Sequence, residues 1–577
     1  MSDFLFCSQP RAAGELEAAL RRYLSPVAEN VVERHGPWGS LAVLRGSHDP
    51  PRVLLEADGW VSVLIGDPVV RTGAEPAARS RMGERREAVH AMLRDGETPW
   101  FDRIDSGFAA LAVGPDGGRV VTDVAAFVPV FAADVAGGIV IGTHLDTVAR
   151  AAGKNRDIDP VSAADMLINL SCTWPHTLYR GVRQLAPASV TSFDADGKWV
   201  DDGAAYWRPL EHNPYRNVGE AAAALRTAVT EDVRAAVQGE RTVGLLLSGG
   251  EDARAVLGAV PEGVEVRSFV YADWENREVR VARAAAKAYG ASLTFGQRTR
   301  DHYVDGLQPV SSIIGAHNNF MDVHGWGLHE RLGIRDLPVV LGGLSSDSFL
   351  KAEHAPSVAP SDSFELPAAS AIRPELREAV ITRRLEFRRW LAEVRPSSAA
   401  EWERLWPFTQ RRHSANLHGN RRLFASHEVY HANAVVAIAA AVPPAWKQHR
   451  RLFHLAMKPL FRRSWHVPHA RWRFPYFGAA ANLPLSAGLR VTRGVRALLT
   501  GEVRARQQPW PKWRVVARSD AATRAMAALP PLDTPLRAIF TEQSAEALAA
   551  SIRAEWHPLR ELFLLQLAFL ATEAERP

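Results

Sequence analysis

Five consecutive residues carry the clearest chemistry in this chain. An apolar strand pattern over 243–247 runs into Ser248-Gly249-Gly250-Glu251-Asp252, and an Ala-rich helical pattern follows. Paired glycines let the backbone approach an anion closely, and a helix N-terminus adds converging N–H groups and partial positive charge. Ser248 adds a hydroxyl donor, and Asp252 supplies the hard oxygen that suits a magnesium ion bridging phosphates. A tight strand–helix turn with an Asp near the N-cap would use the same residues, so the motif needs a second observation. That observation is a further apolar stretch, Leu337 to Leu341, ending in Gly342-Gly343 and a polar turn that carries Asp347. Two carboxylates at adjacent strand ends of a parallel sheet can hold one metal ion and steer a leaving pyrophosphate. Between the two, Val266 to Ala272 reads as a strand followed by a helix over 278–289, as in a βαβ unit. Tyr271 at that strand end is placed either to stack on a base or to pack on the helix.

Two or more domains must position these residues, because 577 residues exceed one hydrophobic core. The first part reads as short strands broken by Gly and Asp turns, at 40–46, 60–67, 107–117, 118–124 and 137–143. Helical periodicity appears at 11–24 and 83–94, so stacked sheets covered by helices are expected. Asp159-Pro160 opens a further helix, and a long helical pattern at 217–238 introduces the second part. The net charge of +5 suits acidic partners such as nucleotides without demanding nucleic acid. Only Cys7 and Cys172 are present, which excludes a disulfide framework and a Cys-rich metal site. The N-terminal residues do not read as a signal peptide, and no apolar run reaches membrane-spanning length; a cytoplasmic location is expected.

The order of several segments is similar to that of asparagine synthetases. Ser106-Gly107-Phe108-Ala109, Thr122-Asp123 with Val128-Pro129-Val130-Phe131, Gly142-Thr143 to Ala149, and His35-Gly36-Pro37 resemble their glutamine-amidotransferase segments. Thr177 to Val182 and Tyr206-Trp207-Arg208-Pro209 resemble the connection to the synthetase domain, and Ser248 to Asp252 resembles the loop of PP-loop ATPases. A Walker A loop is absent. The resemblance implies an α/β protein. Residues 1–209 would form an Ntn-hydrolase-like αββα sandwich, and 210–577 a doubly wound parallel-sheet PP-loop domain with helical additions. It further implies ATP and Mg2+ as cofactors. Leu247, Ser248, Gly249, Gly250, Asp252, Tyr271 and Gly343 would line the nucleotide, with Asp252 and Asp347 as metal ligands.

Departures from the family pattern narrow the chemistry. The family's glutaminase nucleophile is a Cys directly after the initiator Met; here that position is Ser2, and an alcohol is a far poorer nucleophile. Cys7 lies in the apolar run Phe4-Leu5-Phe6-Cys7, which reads as a buried strand. No glutaminase activity is therefore expected, a loss shared by beta-lactam synthetases and lasso-peptide cyclases. Ala253 stands where many relatives have a phosphate-binding Ser, Leu344 where they have Glu or Tyr, and Ser348 where they have Glu. Leu344 cannot move a proton. Glu428 or Tyr430 is the candidate base for an attacking amine, with helix capping and packing as the plain alternative. The family's late catalytic Lys falls at Arg473, or is replaced by Lys458, in a chain with only seven lysines. Arg holds phosphate charge but does not shuttle protons.

The expected reaction is AMP-forming amide synthesis, with an amine carried by the substrate and a lasso-type peptide macrolactam as the narrower expectation. Trp465, Trp472 and Tyr476 are candidate walls for a bulky substrate. Partners expected are a peptide or small carboxylate and amine, and a leader-peptide-binding protein or protease, with no nucleic acid and no membrane. The rivals are an ammonia-using or glutamine-using asparagine synthetase, a non-catalytic scaffold, and, last, a tRNA-modifying PP-loop enzyme.

Overall fold

The computed structural model describes residues 3–575 apart from 47, 49–53, 72–81, 97–98, 202, 354–368, 412, 472, 479–480, 490, 492–509 and 543. Side-chain alternation builds the first half. Along Asp3–Cys7, Phe4 and Phe6 face one way and Leu5 and Cys7 the other, as a pleated strand requires. This strand lies inside a six-stranded antiparallel sheet ordered Val182–Gln184, Phe131–Val135, Gly138–Gly142, Asp3–Cys7, Gly39–Arg45, Asn30–Gly36. A second antiparallel sheet runs Ala204–Ala205, Ser189–Asp194, Gly117–Thr122, Phe108–Gly114, Trp60–Gly66, Leu54–Ala57. Phe4, Phe6, Leu41 and Val43 of the first sheet meet Val63, Ile65, Leu111 and Val120 of the second in one core. Leu5 and Cys7 lie instead under helices Glu15–Leu24, Leu145–Ala151 and Pro160–Asn169. Helix Met82–Asp95 covers the other outer face through Val89 and Leu93. The result is the expected αββα layering.

The second half is a five-stranded parallel sheet ordered Ser292–Gln297, Glu265–Ala272, Thr242–Leu246, Val340–Gly342, Ser426–Glu428. Helix Val218–Ala236, N-capped by the Asn217 side chain, and helix Arg451–Met457 bury one face of this sheet, against Val243 and Leu245. Phe320, Met321 and the C-terminal helix Pro558–Glu575 join the core on the other face with Phe269 and Val340. Covering both faces is what lets the inner strands Thr242–Leu246 and Val340–Gly342 read as apolar runs, while the edge strand Ser292–Gln297 is largely exposed. The strand order reverses between Thr242–Leu246 and Val340–Gly342, and a ligand crevice forms at the carboxyl ends of such a switch point. Both chemistry-bearing loops leave those two ends.

The two halves are joined by specific hydrogen bonds. Trp406 Nε1 donates to the Val124 carbonyl at 2.9 Å, and the Phe408 N–H to that of Ala125 at 2.8 Å. The loop they grip is shaped by Asp123, whose buried carboxylate accepts from the N–H groups of Phe108, Ala125, Phe127 and Val128. Among the described residues no helix is long and apolar enough to cross a membrane.

Candidate nucleotide site

The loop after Thr242–Leu246 begins at buried Leu247, whose N–H extends the ladder to the Phe269 carbonyl. Ser248 turns its hydroxyl inward and accepts the Gly250 N–H at 3.1 Å. The Gly249 N–H is donated to the Glu278 carboxylate at 2.8 Å, and the Gly249 carbonyl accepts from Ala470 N–H at 3.0 Å. A Cβ on Gly249 would lie 3.0 Å from both Ala470 and the Glu278 carbonyl, so the close approach leaves little room for a side chain there. Asp252 starts the helix Asp252–Ala259, with Glu251 as its N-cap residue.

Asp252 and Asp347 converge on one atom, the ammonium nitrogen of Lys351. Lys351 Nζ contacts Asp252 Oδ1 and lies 2.7 Å from Asp347 Oδ1 and 3.1 Å from Glu251 Oε1. Its side chain is 5% exposed and its ammonium sits 4.2 Å above the Phe453 ring centre. Glu251 is a hub: Arg473 Nη2 reaches it at 3.1 Å, and Arg450 contacts the same oxygen. Burial raises the Asp252 carboxyl above its ordinary value, and the charge of Asp347 adds to this against the pull of Lys351. Asp347 differs: its side chain is 60% exposed, so desolvation opposes its charge less than at Asp252, and the Lys351 ammonium holds the carboxyl low. Beyond them His469 is kept neutral by burial and by Arg473, Arg254 and Arg450.

Magnesium is the metal that the sequence resemblance implies for this donor set. Among the described residues no group of three or more His, Cys, Asp and Glu side chains is placed to hold a metal alone. The pair Asp252 and Asp347 nevertheless aims two hard oxygens at one point, and Mg2+ is held by one or two carboxylates plus phosphate oxygens and water. The residues fit that mode, provided Lys351 gives up its place.

The remaining expected residues fall into two groups. Gly343 packs on the start of the Asp252 helix: a Cβ there would stand 2.8 Å from the Ala253 nitrogen. Glu428 ends the neighbouring strand, is buried, and accepts the Leu344 N–H at 2.9 Å; burial raises its carboxyl. Tyr430 is fully buried and donates to the Asp252 carbonyl at 3.1 Å. All three shape the site. By contrast, Lys458 is exposed and stands over the Tyr476 ring, and the Tyr271 ring packs beside Gly296 at the sheet edge. Arg473 reaches the site through Glu251. Trp465 is 53% exposed, Tyr476 packs edge-on against Phe477, and Trp472 lies outside the described residues.

Lys351, Arg450 and Glu278 were not singled out from sequence, and Glu251 was named only as part of the loop, with no role of its own. Lys351 carried a signal, since a rare lysine four residues after Asp347 is a helix-spaced ion pair. Arg450 carried none, because it reaches Glu251 from a turn where it takes a left-handed conformation, φ 64°. A strap of residues 467–471 lies against the loop, pinned by Arg254, which donates to the Val467 and Pro468 carbonyls at 2.8 and 3.0 Å.

Residues 224–464 match the asparagine synthase family, an ATP-dependent, amide-forming ligase family. No curated protein matches. Similar solved structures include the allosteric regulatory enzyme of purine biosynthesis, at 8% identity over 51% of this chain and 80% of that one, TM-score 0.25. Another is glutamine phosphoribosylpyrophosphate amidotransferase from B. subtilis complexed with ADP and GMP, at 10% identity over 53% and 67%, TM-score 0.24.

Proposed function

Starting from the premise that residues 224–464 are an asparagine synthase domain, we propose that this chain adenylates a substrate carboxylate and joins it to an amine of the same substrate. One observation carries the reading: at the switch point of the parallel sheet, Asp252 and Asp347 converge on a single cation beside the Ser248-Gly249-Gly250 loop. The substrate carboxylate attacks the α-phosphorus of ATP, the α–β phosphoanhydride bond breaks, and pyrophosphate leaves. The amine then adds to the acyl carbon, loses a proton, and expels AMP. Magnesium, when bound, neutralises charge on the phosphates. Arg473 and Arg450 offer guanidinium charge at the same place, and Ser248 can turn its hydroxyl outward to phosphate. His469 beside Gly250 is held neutral by burial and by Arg473, so it can offer a ring nitrogen for hydrogen bonding near the loop but is a poor proton acceptor.

The amine is proposed to be intramolecular, in a macrolactam of the lasso-peptide type. Cys7 and Cys172 are both buried, so no exposed thiol is present to release ammonia from glutamine. An amine already tethered to the acyl group gains effective concentration worth up to about 7 kcal/mol, which offsets weak proton-transfer machinery at Leu344. We expect Asp252→Ala and Asp347→Ala each to abolish AMP and pyrophosphate formation, by at least about a hundredfold, while melting as the parent does. Mass spectrometry should find a product one water lighter than its peptide, and no glutamate should form from glutamine. ADP and phosphate as products would sink the adenylation reading; dependence on free ammonia would sink the macrolactam. A second reading, a non-catalytic scaffold, is favoured by the occupied state of the carboxylate pair, and it fails if ATP binds and is cleaved.

A further inference from the structure

The ammonium of Lys351 stands where two carboxylates converge, at the point a metal ion would take. Asp252 and Asp347 come from different loops, and Glu251 adds a third carboxylate within 3.1 Å of the same nitrogen. Three acidic groups this close repel one another strongly unless a cation lies among them. Arg450 and Arg473 answer Glu251, and Lys351 reaches all three carboxylates at once. Its stem leaves the end of the short helix Ser346–Leu350, its side chain is buried, and the Phe453 ring supports the charge from below. A divalent ion bound to Asp252 and Asp347 at roughly 2 Å would overlap an ammonium already in contact with both oxygens. The two cations are therefore mutually exclusive.

We propose that Lys351 is the resident cation of this site, closing the Asp252–Asp347 pair to free divalent metal, and that it yields only to metal arriving with a nucleoside triphosphate. This rests on the reading of Asp252 and Asp347 as the metal-holding pair. The asymmetry follows from coordination. Two carboxylates alone do not outbid an ammonium held by three acidic groups, and among the described residues no group of three or more His, Cys, Asp or Glu side chains is placed to hold a metal ion. A triphosphate adds oxygens that complete the metal's coordination and gives the displaced ammonium a new anionic partner. The lysine stem is flexible enough to swing between the two without backbone movement. Metal and nucleotide binding are thereby made interdependent, so each strengthens the other by the same factor.

Electron paramagnetic resonance of Mn2+ with the full-length protein tests this without any catalytic readout. The wild-type protein without nucleotide should leave Mn2+ free up to millimolar concentration. With a non-hydrolysable ATP analogue that retains the β,γ-phosphates, the same protein should bind Mn2+ at least tenfold more tightly than the analogue alone does. Lys351→Met should bind Mn2+ without nucleotide at least tenfold more tightly than wild type, and Lys351→Arg, which keeps a cation, should not. Tight Mn2+ binding by nucleotide-free wild type overturns the proposal even if the Met variant does not fold. Equal affinities in wild type and Lys351→Met also overturn it. Failure of both to bind Mn2+ even with the analogue removes the metal-pair reading as well, which separates the two claims.

Discussion

A buried carboxylate at a strand end can be a base or a clasp, and its partners decide which. Glu428 accepts the Leu344 N–H at 2.9 Å and crowds Gly342 so closely that a Cβ there would lie 2.1 Å from its Oε2. It is spent on holding the second loop against the last strand. Tyr430 is in a similar position: its hydroxyl donates to the Asp252 carbonyl, and burial with the nearby Asp252 and Asp347 charges lifts its pKa well above the ordinary phenol value. A proton held so firmly is not available for exchange with an amine. Loss of a general base costs about a hundredfold or more in rate. We therefore expect Glu428→Gln, whose amide oxygen can still accept the Leu344 N–H, to keep pyrophosphate release within about tenfold of wild type. Tyr430→Phe should cost about 1 kcal/mol of stability, the net worth of one hydrogen bond, with a similarly small effect on rate. A hundredfold loss in either variant, with an unchanged melting curve, would restore that residue as the base.

Elements explain what the sequence could and could not disclose. The strands at 40–46, 60–67, 118–124 and 137–143 were legible because apolar alternation and turn glycines are local properties. The Phe4–Cys7 strand was legible as buried, and burial of Cys7 follows from its facing the helix layer. The loop Ser248 to Asp252 and its partner near Asp347 were legible because strand, glycines and acid stand consecutively. The strap over 467–471 was not, since its grip comes from Arg254, more than two hundred residues earlier in the chain. The glycine requirement at 343 was also hidden. It arises because one strand end packs on the backbone of another element, with a Cβ position 2.8 Å from the Ala253 nitrogen. Gly343→Ala should push the two loops apart and separate Asp252 from Asp347. Overpacking of this kind costs about 1–3 kcal/mol. Urea denaturation should show that loss, and pyrophosphate release should fall by more than tenfold because the carboxylates no longer converge. A variant with parental activity would show that the loops tolerate the displacement.

At the scale of the whole molecule, the two halves are locked by charge as well as by surface. Asp3 opens the strand Asp3–Cys7 and is fully buried. Its Oδ1 accepts from Arg421 Nη2 at 2.8 Å, Arg422 Nη2 at 2.7 Å and the Thr143 hydroxyl at 2.9 Å; Oδ2 accepts from Arg422 Nε at 2.8 Å. Both arginines come from helix Ser414–Leu423, which leads into the last strand of the parallel sheet. The start of the first strand is thus tied into the half that carries the parallel sheet. Burial alone would raise the Asp3 carboxyl, but the two guanidiniums overcome it and hold the group far below its ordinary value of 3.8. The sign follows from linkage. The unfolded chain binds the proton more readily than the folded one, so the stabilisation is complete above pH 3.8 and fades as pH falls below it. Asp3→Asn leaves two buried guanidiniums without a counter-charge, and breaking a buried pair in this way costs about 3–5 kcal/mol. Denaturation at pH 7 should show that deficit, and the gap to wild type should stay constant down to pH 5, roughly one unit above the ordinary carboxylate value. Because the lost charge lies between the halves, hydrogen exchange should quicken in both Phe4–Cys7 and Ser414–Leu423. A deficit below about 1 kcal/mol, the range of exposed pairs, or a gap that closes between pH 7 and pH 5, would show that the interface does not depend on this ion pair.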